Sequence, residues 1–259
     1  MTNFEERKRE LVNRIKDCLR QKFRTYEPET INMPFHYRLL GKDRMALYSF
    51  IQSLNTTFGT SIYEPVAIEL AKDRFEIAKV QVKSKRVISS SAHQKIQEIM
   101  DKITTATNLP NSVDEINLIR NVCQEGVPHN VQLRNYDVYL KSKDNKFYCI
   151  DIKTVKPNIG SFEDYKRMLL SWAASEMYID PNIEIQPIIG IPYNPYEPQP
   201  YNRWTMRGIF DLDNEIKVAE ELWDFMGGEG AYNLLLDSFE QAGIELRPEI
   251  DLYFQRFRN

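Results

Sequence analysis

Asp137, Asp151 and Lys153 are the residues of this chain whose types and spacing could do chemistry together. Residues 131–141 (VQLRNYDVYLK) and 146–154 (KFYCIDIKT) alternate apolar and polar side chains around Ser142-Lys143-Asp144-Asn145. This is the pattern of a β-hairpin. With the turn centred near Asp144, residues equidistant from it face one another. The even-numbered face then carries Tyr136, Val138, Leu140, Tyr148, Ile150 and Ile152, is apolar throughout, and is expected on the core. The odd-numbered face carries Asn135, Asp137, Tyr139, Cys149, Asp151 and Lys153. In this register Asp137 faces Asp151 with Cβ atoms roughly 4.5–5.5 Å apart, and Asn135 faces Lys153. Two carboxylates so close repel unless a cation or a shared proton intervenes. A divalent ion with oxygen ligands at about 2.0–2.1 Å fits between them. Lys153, two residues beyond Asp151, projects to the same face. A metal, two acids and a lysine form a toolkit for phosphodiester hydrolysis. The metal neutralises the phosphate and acidifies a water, and the lysine steadies either one.

The acid-x-Lys triplet alone is unspecific. It recurs at Glu6-Arg-Lys8, Asp144-Asn-Lys146, Asp164-Tyr-Lys166 and Glu215-Ile-Lys217, which read as solvated surface on helices or in the turn. Only Asp151-Ile-Lys153 lies on a strand with an apolar reverse face and a facing acid. The competing explanation is an exposed hairpin with ordinary charged positions.

The elements that must position these residues are mostly helical up to about residue 125. Thr2 and Glu5 have capping-box spacing, and Phe4, Leu11, Ile15, Leu19 and Phe23 follow at helical intervals. After a loop holding Pro28 and Pro34, a helix carrying Met45, Tyr48, Ile51, Leu54 and Phe58 is expected to stop at Gly59. A third helix, about 61–76, begins at Ser61. The stretch from Ile77 to Ile88 fits helix and strand equally. Ser112-x-x-Glu115 opens another helix. Beyond the hairpin, Ser161 starts a long helix through Tyr178, and a strand runs from Ile185 to Ile191. A Pro/Tyr-rich loop (IPYNPYEPQPYNRW) follows. The last part returns to helix: Ile216 to Phe225, Tyr232 to Ala242 closed by Gly243, and a final one begun at Pro248. The order helix, strand, strand, helix, strand predicts an α/β core with a small mixed sheet flanked by helices. The chain reads as one elaborated domain over 1–259. It has a helical region to about 125, a core over about 126–200 plus the 61–76 helix, and a helical region over about 208–259.

Composition excludes several classes. Of 259 residues, 42% are hydrophobic and 27% charged, the balance of an ordinary folded protein. A chain this long buries roughly 70–75% of its unfolded surface and needs no staple. The three cysteines, Cys18, Cys123 and Cys149, are far apart and form no CxxC pair, which fits a reducing cytoplasm. No apolar run approaches the roughly 18 residues of a membrane span. The N-terminus has no signal-peptide core. A net charge of −3 gives no global attraction to nucleic acid, so binding there requires a local basic surface.

Asp137 followed after thirteen residues by Asp151-Ile-Lys153 resembles a PD-(D/E)xK nuclease core, with Tyr136 where the name has proline. Longer strings are more particular: 33–67 (MPFHYRLLGKDRMALYSFIQSLNTTFGTSIYEPVA), 151–162 (DIKTVKPNIGSF), 191–208 (IPYNPYEPQPYNRWTMRG) and 227–251 (GGEGAYNLLLDSFEQAGIELRPEID). They resemble the TdeIII-type family of type II restriction endonucleases over essentially the whole chain. The resemblance implies a restriction-endonuclease-like fold and Mg²⁺-dependent cleavage of double-stranded DNA at a short, near-palindromic site, GGNCC-like in some members. It implies 5′-phosphate and 3′-hydroxyl ends, a homodimer in the cytoplasm, and a cognate DNA methyltransferase in the same host. Asp137 and Asp151 would ligate Mg²⁺, and Lys153 would orient or deprotonate the attacking water.

Other residues carry two readings each. Glu64 suits a third metal-shell carboxylate, as Glu69 does less well, yet Ser61-x-x-Glu64 is also a capping box. Pro65 disfavours a helical conformation at Glu64. Lys156 and Asn158 suit contact with the DNA backbone, or simply a polar loop. Arg203 and Arg207, beside Asn202 and Trp204, suit guanine readout in the major groove or salt bridging. His36 and Arg38, in the loop before the second helix, suit phosphate contacts. The histidines lack zinc-ligand spacing, and Gly227-Gly228-Glu229-Gly230 lacks the Lys-Ser/Thr of a P-loop. Trp172, Trp204 and Trp223 read as core. Two rival functions share the core: a structure-selective repair or recombination nuclease, and a non-catalytic DNA-binding module.

Overall fold

The hairpin expected over 131–154 is formed, and a sheet grows from it. In the computed structural model, which describes residues 3–153 and 158–257, the chain divides into two compact units: 1–69 with 230–259, and 70–229.

The first unit is helical: α1 (Asn3–Thr25), α2 (Pro34–Leu40), α3 (Lys42–Phe58), the start of α4 (Glu64–Ala71) and the last helix, α9 (Ala231–Gln255). Leu11 and Ile15 of α1 are buried as their spacing predicts, with Val12 beside them, whereas Phe4 is exposed. Two expected breaks do not occur. Gly59 lies in the right-handed region (φ −53°), and a π-helical turn, Gly59–Tyr63, carries the chain from α3 into α4. Pro65 has no N–H to continue an ordinary ladder, which suits that turn. Glu64 is helical in spite of the following proline (φ −62°, ψ −50°). Likewise α9 runs unbroken through Gly243 and Pro248. Long-range contacts with α1 override the local punctuation there. Lys16 meets Glu245 at 2.5 Å and Arg20 clasps Glu249 at 2.6 Å, while Phe23, Phe50 and Tyr253 stack. The Thr2 cap lies outside the described residues. Residues 34–40 form helix α2 with Pro34 in its first turn, so His36 and Arg38 sit on a helix rather than in a loop.

The second unit holds a five-stranded mixed sheet flanked by helices. Its strands are β1 (Ile77–Val82), β4 (Tyr136–Lys141), β5 (Lys146–Ile152), β6 (Glu184–Ile191) and β7 (Ile216–Val218), in the order β1-β4-β5-β6-β7. The first three are mutually antiparallel and the last three parallel. The undecided stretch 77–88 is thus largely strand. It supplies β1 and the start of β2 (Val87–Ser89), which pairs with β3 (Pro128–Asn130) in a small ribbon. Residues 216–218, expected as helix, are instead an edge strand, and helix α8 (Glu220–Gly227) begins only after them. Parallel pairing with the buried β6 decides that short apolar run. Helices α5 (Ser90–Thr104) and α6 (Ser112–Arg120) precede β3. The cap of α6 is Asn111, one residue earlier than expected: its side chain accepts from Asp114 N–H at 3.1 Å, and Glu115 returns a bond to Asn111 N–H at 3.0 Å. Helix α7 (Phe162–Ile179) links β5 to β6 as a βαβ crossover.

Both faces of the sheet are covered. The even face meets α8: Tyr148 packs edge-on against Phe225, and Leu222 lies against Gly190. A Cβ on Gly190 would fall 2.9 Å from Leu222, so glycine there lets α8 press close beside Ile150. The odd face meets α7, which is why Cys149 and Asp151 are buried rather than solvated. Tyr136 departs from its expected face. Its ring stands edge-on to Trp172 of α7, and its hydroxyl donates to Glu176 at 2.8 Å.

A buried ion triad joins α6, α7 and the approach to β7. Lys166, fully buried, holds Glu215 at 2.7 Å and Glu115 at 2.5 Å. Two acid-x-Lys triplets read as solvated surface thus contribute Lys166 and Glu215 to the interior. Burial pushes the Glu215 carboxyl up to about 7 even beside the ammonium. Replacing Lys166 by methionine leaves two carboxylates facing each other without a cation. We expect a loss of about 3–5 kcal/mol in urea unfolding at about pH 9, where Glu215 is ionised. The loss should shrink at about pH 5, where Glu215 can hold a proton. An unchanged midpoint at both pH values would show that the triad is not structural.

Candidate active site

The hairpin register places the two aspartates as their spacing predicts. Val138 pairs with Ile150, Tyr139 with Cys149 and Leu140 with Tyr148. One step further along that register lie Asp137 and Asp151. The expected Asn135–Lys153 pairing is not formed. The Asn135 side chain accepts from Arg86 at 3.4 Å, and the Lys153 N–H donates to the Gly190 carbonyl at 2.9 Å.

Each carboxylate is fixed differently. Asp137 Oδ2 accepts the Ile152 N–H at 2.8 Å, and its Oδ1 accepts the Gln81 amide at 3.3 Å. Asp151 is buried, and its Oδ2 meets the Lys153 ammonium at 2.6 Å. That oxygen takes no hydrogen bond of good geometry among the described residues. The ammonium also lies over the Tyr165 ring of α7, 4.6 Å from its centroid. Burial, and next the charge of Asp151, push the Asp137 carboxyl up to about 6. The Ile152 N–H, Lys153 and Gln81 act against that rise. A carboxylate pair whose repulsion is visible in this way, with hard oxygen donors facing each other, suits a small divalent cation. Among the described residues, no group of three or more His, Cys, Asp or Glu side chains has metal-binding spacing. The pair therefore offers two carboxylates.

Gln81 and Tyr165 are partners of this centre that the sequence did not reveal. Gln81 falls in the undecided stretch and adopts φ +52°, in the left-handed region that a side chain rarely occupies. Only the β1–β4 pairing brings it to Asp137. Tyr165 reads in sequence as one more aromatic on a helix.

The other predicted residues lie on several elements. Glu64 is buried at the start of α4 in the helical unit, where its N–H donates to the Gly59 carbonyl, and Glu69 follows it on the same helix. His36 and Arg38, exposed on α2, also belong to the helical unit. Lys156 lies outside the described residues, as does the side chain of Trp204. Asn158 caps a 3-10 turn, its Oδ1 accepting the Gly160 N–H at 3.1 Å. Arg203 and Arg207 do come together, with Tyr196, Tyr201 and Asn202, around a cleft of about 630 Å³. Arg203 is ion-paired with Glu221 there, and Arg207 is exposed. Trp172 and Trp223 are core, as expected.

The repulsion has a pH signature in metal-free protein. The folded chain holds the Asp137 proton more tightly than the ordinary value of 3.8 allows. Ionisation between roughly pH 4 and 6 therefore costs stability as pH rises. Asp137→Asn removes that cost. In EDTA at about pH 8 the variant should be more stable than wild type by roughly 1–2 kcal/mol, after solvent screening of this half-buried group. The gain should vanish at about pH 4. Urea unfolding at both pH values measures it, and a variant less stable at both would contradict the repulsion.

Among the described residues, no helix is long and apolar enough to cross a membrane. A family model of type II restriction endonucleases, that of HinfI, matches residues 4–243. The type II restriction enzyme MjaII of Methanocaldococcus jannaschii is 31% identical over an alignment of 239 residues that takes in 82% of this chain. The match covers 63% of that relative, so the chain spans less than two thirds of the relative's length. The narrower TdeIII-type likeness rests on the quoted strings alone. A match that runs through both strands of the aspartate hairpin and almost to the end of the chain shows that this protein belongs to the HinfI family of type II restriction endonucleases.

Proposed function

We propose that this chain is itself a site-specific endonuclease that hydrolyses both strands of DNA at a short, near-palindromic sequence with Mg²⁺. The observation that carries the reading is the facing pair Asp137 and Asp151 with the Lys153 ammonium 2.6 Å from Asp151. Family membership and a relative named as a type II restriction enzyme support it.

In this reading Asp137 and Asp151 hold the metal through carboxylate oxygens. When bound, Mg²⁺ supplies charge neutralisation at the scissile phosphate and a more acidic water. Lys153 donates its ammonium protons to the attacking water or to a phosphate oxygen, and Asp151 with the Tyr165 ring keeps it aimed there. The Ile152 N–H and Gln81 fix the Asp137 carboxylate, so little reorganisation is left for the reaction. Hydrolysis leaves a 5′-phosphate and a 3′-hydroxyl.

One acid–acid–lysine set per chain serves one strand, so cutting two calls for two copies, and the active unit is a homodimer. A cell that makes the enzyme in its cytoplasm needs a cognate methyltransferase to protect its own DNA. The TdeIII-type resemblance makes a GGNCC-like site the first to try. Arg207, exposed beside Arg203, is the better candidate for guanine readout, because Glu221 already engages Arg203. Lys156 and Asn158, just after the catalytic strand, are candidates for backbone contact, and His36 and Arg38 for phosphate contact.

The test is digestion of a long unmethylated DNA of known sequence, in Mg²⁺ and in EDTA. Discrete fragments in Mg²⁺ alone are expected, and their ends define the site. Asp151→Ala and Lys153→Ala should each lose at least about 100-fold in cleavage rate while keeping the fold by circular dichroism. A smear or nicking would favour a structure-selective nuclease. Undiminished cutting by Asp151→Ala would sink the assignment.

A further inference from the structure

Next to the acid–acid–lysine centre is a cleft of about 610 Å³, lined by α5, the segment leading into β4 and the first half of α7. Tyr165 belongs to both: it lines the cleft, and its ring carries the Lys153 ammonium. The cleft thus lies one ring away from Lys153.

Its charged lining is two guanidiniums, Arg134 and Arg167, against one carboxylate, Asp164, and His93 adds an imidazole. Gln132 adds an amide. In a chain of net charge −3 this is a local excess of cation. The excess extends outward, since Arg86 bonds the neighbouring Asn135, and Lys83, Lys85 and Arg86 are all exposed in the link between β1 and β2.

The two cleft arginines also differ from the engaged ones. Arg20 is neutralised by Glu249 and Arg203 by Glu221. Neither Arg134 nor Arg167 has a carboxylate ion-pair partner among the described residues. Arg167 donates to the neutral Gln97 amide at 3.0 Å. At Arg134 it is the backbone carbonyl that is anchored, by the Trp172 indole at 3.1 Å, while the residue as a whole is exposed. Guanidiniums held near a fixed backbone without a counter-ion are suited to phosphate oxygens, which match their planar fork.

We propose that this cleft binds the sugar-phosphate backbone of the cleaved DNA strand beside the scissile bond, with Arg134 and Arg167 as phosphate ligands. The proposal rests on the nuclease reading and adds the path of the strand to it. Neutralising phosphates releases condensed counter-ions, so each arginine should contribute about one unit to the dependence of log affinity on log salt.

The experiment measures binding of fluorescent duplexes of several sequences to the full chain in EDTA, at a series of salt concentrations. Arg134→Ala and Arg167→Ala should each weaken binding roughly five- to tenfold near 0.1 M salt, alike on every sequence, and lower the slope by about one. The double variant should lower it by about two. Arg134→Lys and Arg167→Lys should keep the slope. Lys102→Ala, at the far end of α5, should change nothing. Arg134→Gln serves in place of the alanine variant if that one does not fold. A folded double variant with wild-type affinity and slope, in a protein that still cuts DNA, overturns the cleft and leaves the nuclease reading standing. Absence of DNA binding and cleavage by the unmodified protein overturns both.

Discussion

Two carboxylates held against their own repulsion set the terms for the rest of this protein. Asp137 and Asp151 occupy neighbouring strands, one at the edge of solvent and one buried, and neither can swing away. The sheet enforces their approach because moving either side chain to the other face would require slipping the strand by a residue. Such a slip would turn the fully buried Val138, Leu140 and Ile150 away from the packing they fill. The burial of those side chains is thus what holds the charges together. The Ile152 N–H, Gln81 and Lys153 relieve the strain only in part, and the raised Asp137 carboxyl is the residue of it. A site that stores repulsion in this way suits a cation.

Helix α7 does most of the positioning. Trp172 and Glu176 receive the Tyr136 ring and hydroxyl, which fixes the start of β4 just before Asp137. One residue of α7, Tyr165, touches Lys153, and the next, Lys166, turns inward to Glu115 and Glu215. The helix is therefore anchored by charge on one side while it steadies the ammonium on the other. Its direction is set in turn by the parallel pairing of β5 with β6, which it connects.

The surface beside the centre follows from the same arrangement. The segment before β4 is tied to α7 by the Trp172 indole on the Arg134 carbonyl, which opens a cleft between that segment, α5 and α7. Tyr165 lines that cleft and also carries the Lys153 ammonium. The arginines first suggested by the loop after β6 occupy a different cleft, where Glu221 already satisfies Arg203.

The hairpin was legible in the sequence because its information is local. A period of two, a polar turn and equal spacing from Asp144 fix the strand type, the register and the acid–acid–lysine face without reference to any distant residue. Helix α7 and strand β6 were legible for the same reason. What stayed hidden depends on partners far away in the chain. Whether 77–88 was strand turned on β4 being there to pair with it, and with that pairing came Gln81. Residues 216–218 became a strand only because β6 offers an edge, and α9 runs through Gly243 and Pro248 because α1 binds its flank. Lys166 and Glu215 look like surface charges until the fold brings them together with Glu115. Local periodicity determines which residues can share a face. Tertiary packing decides which faces meet, because burial and ion pairing between distant segments outweigh the propensity of a few residues to turn, cap or break.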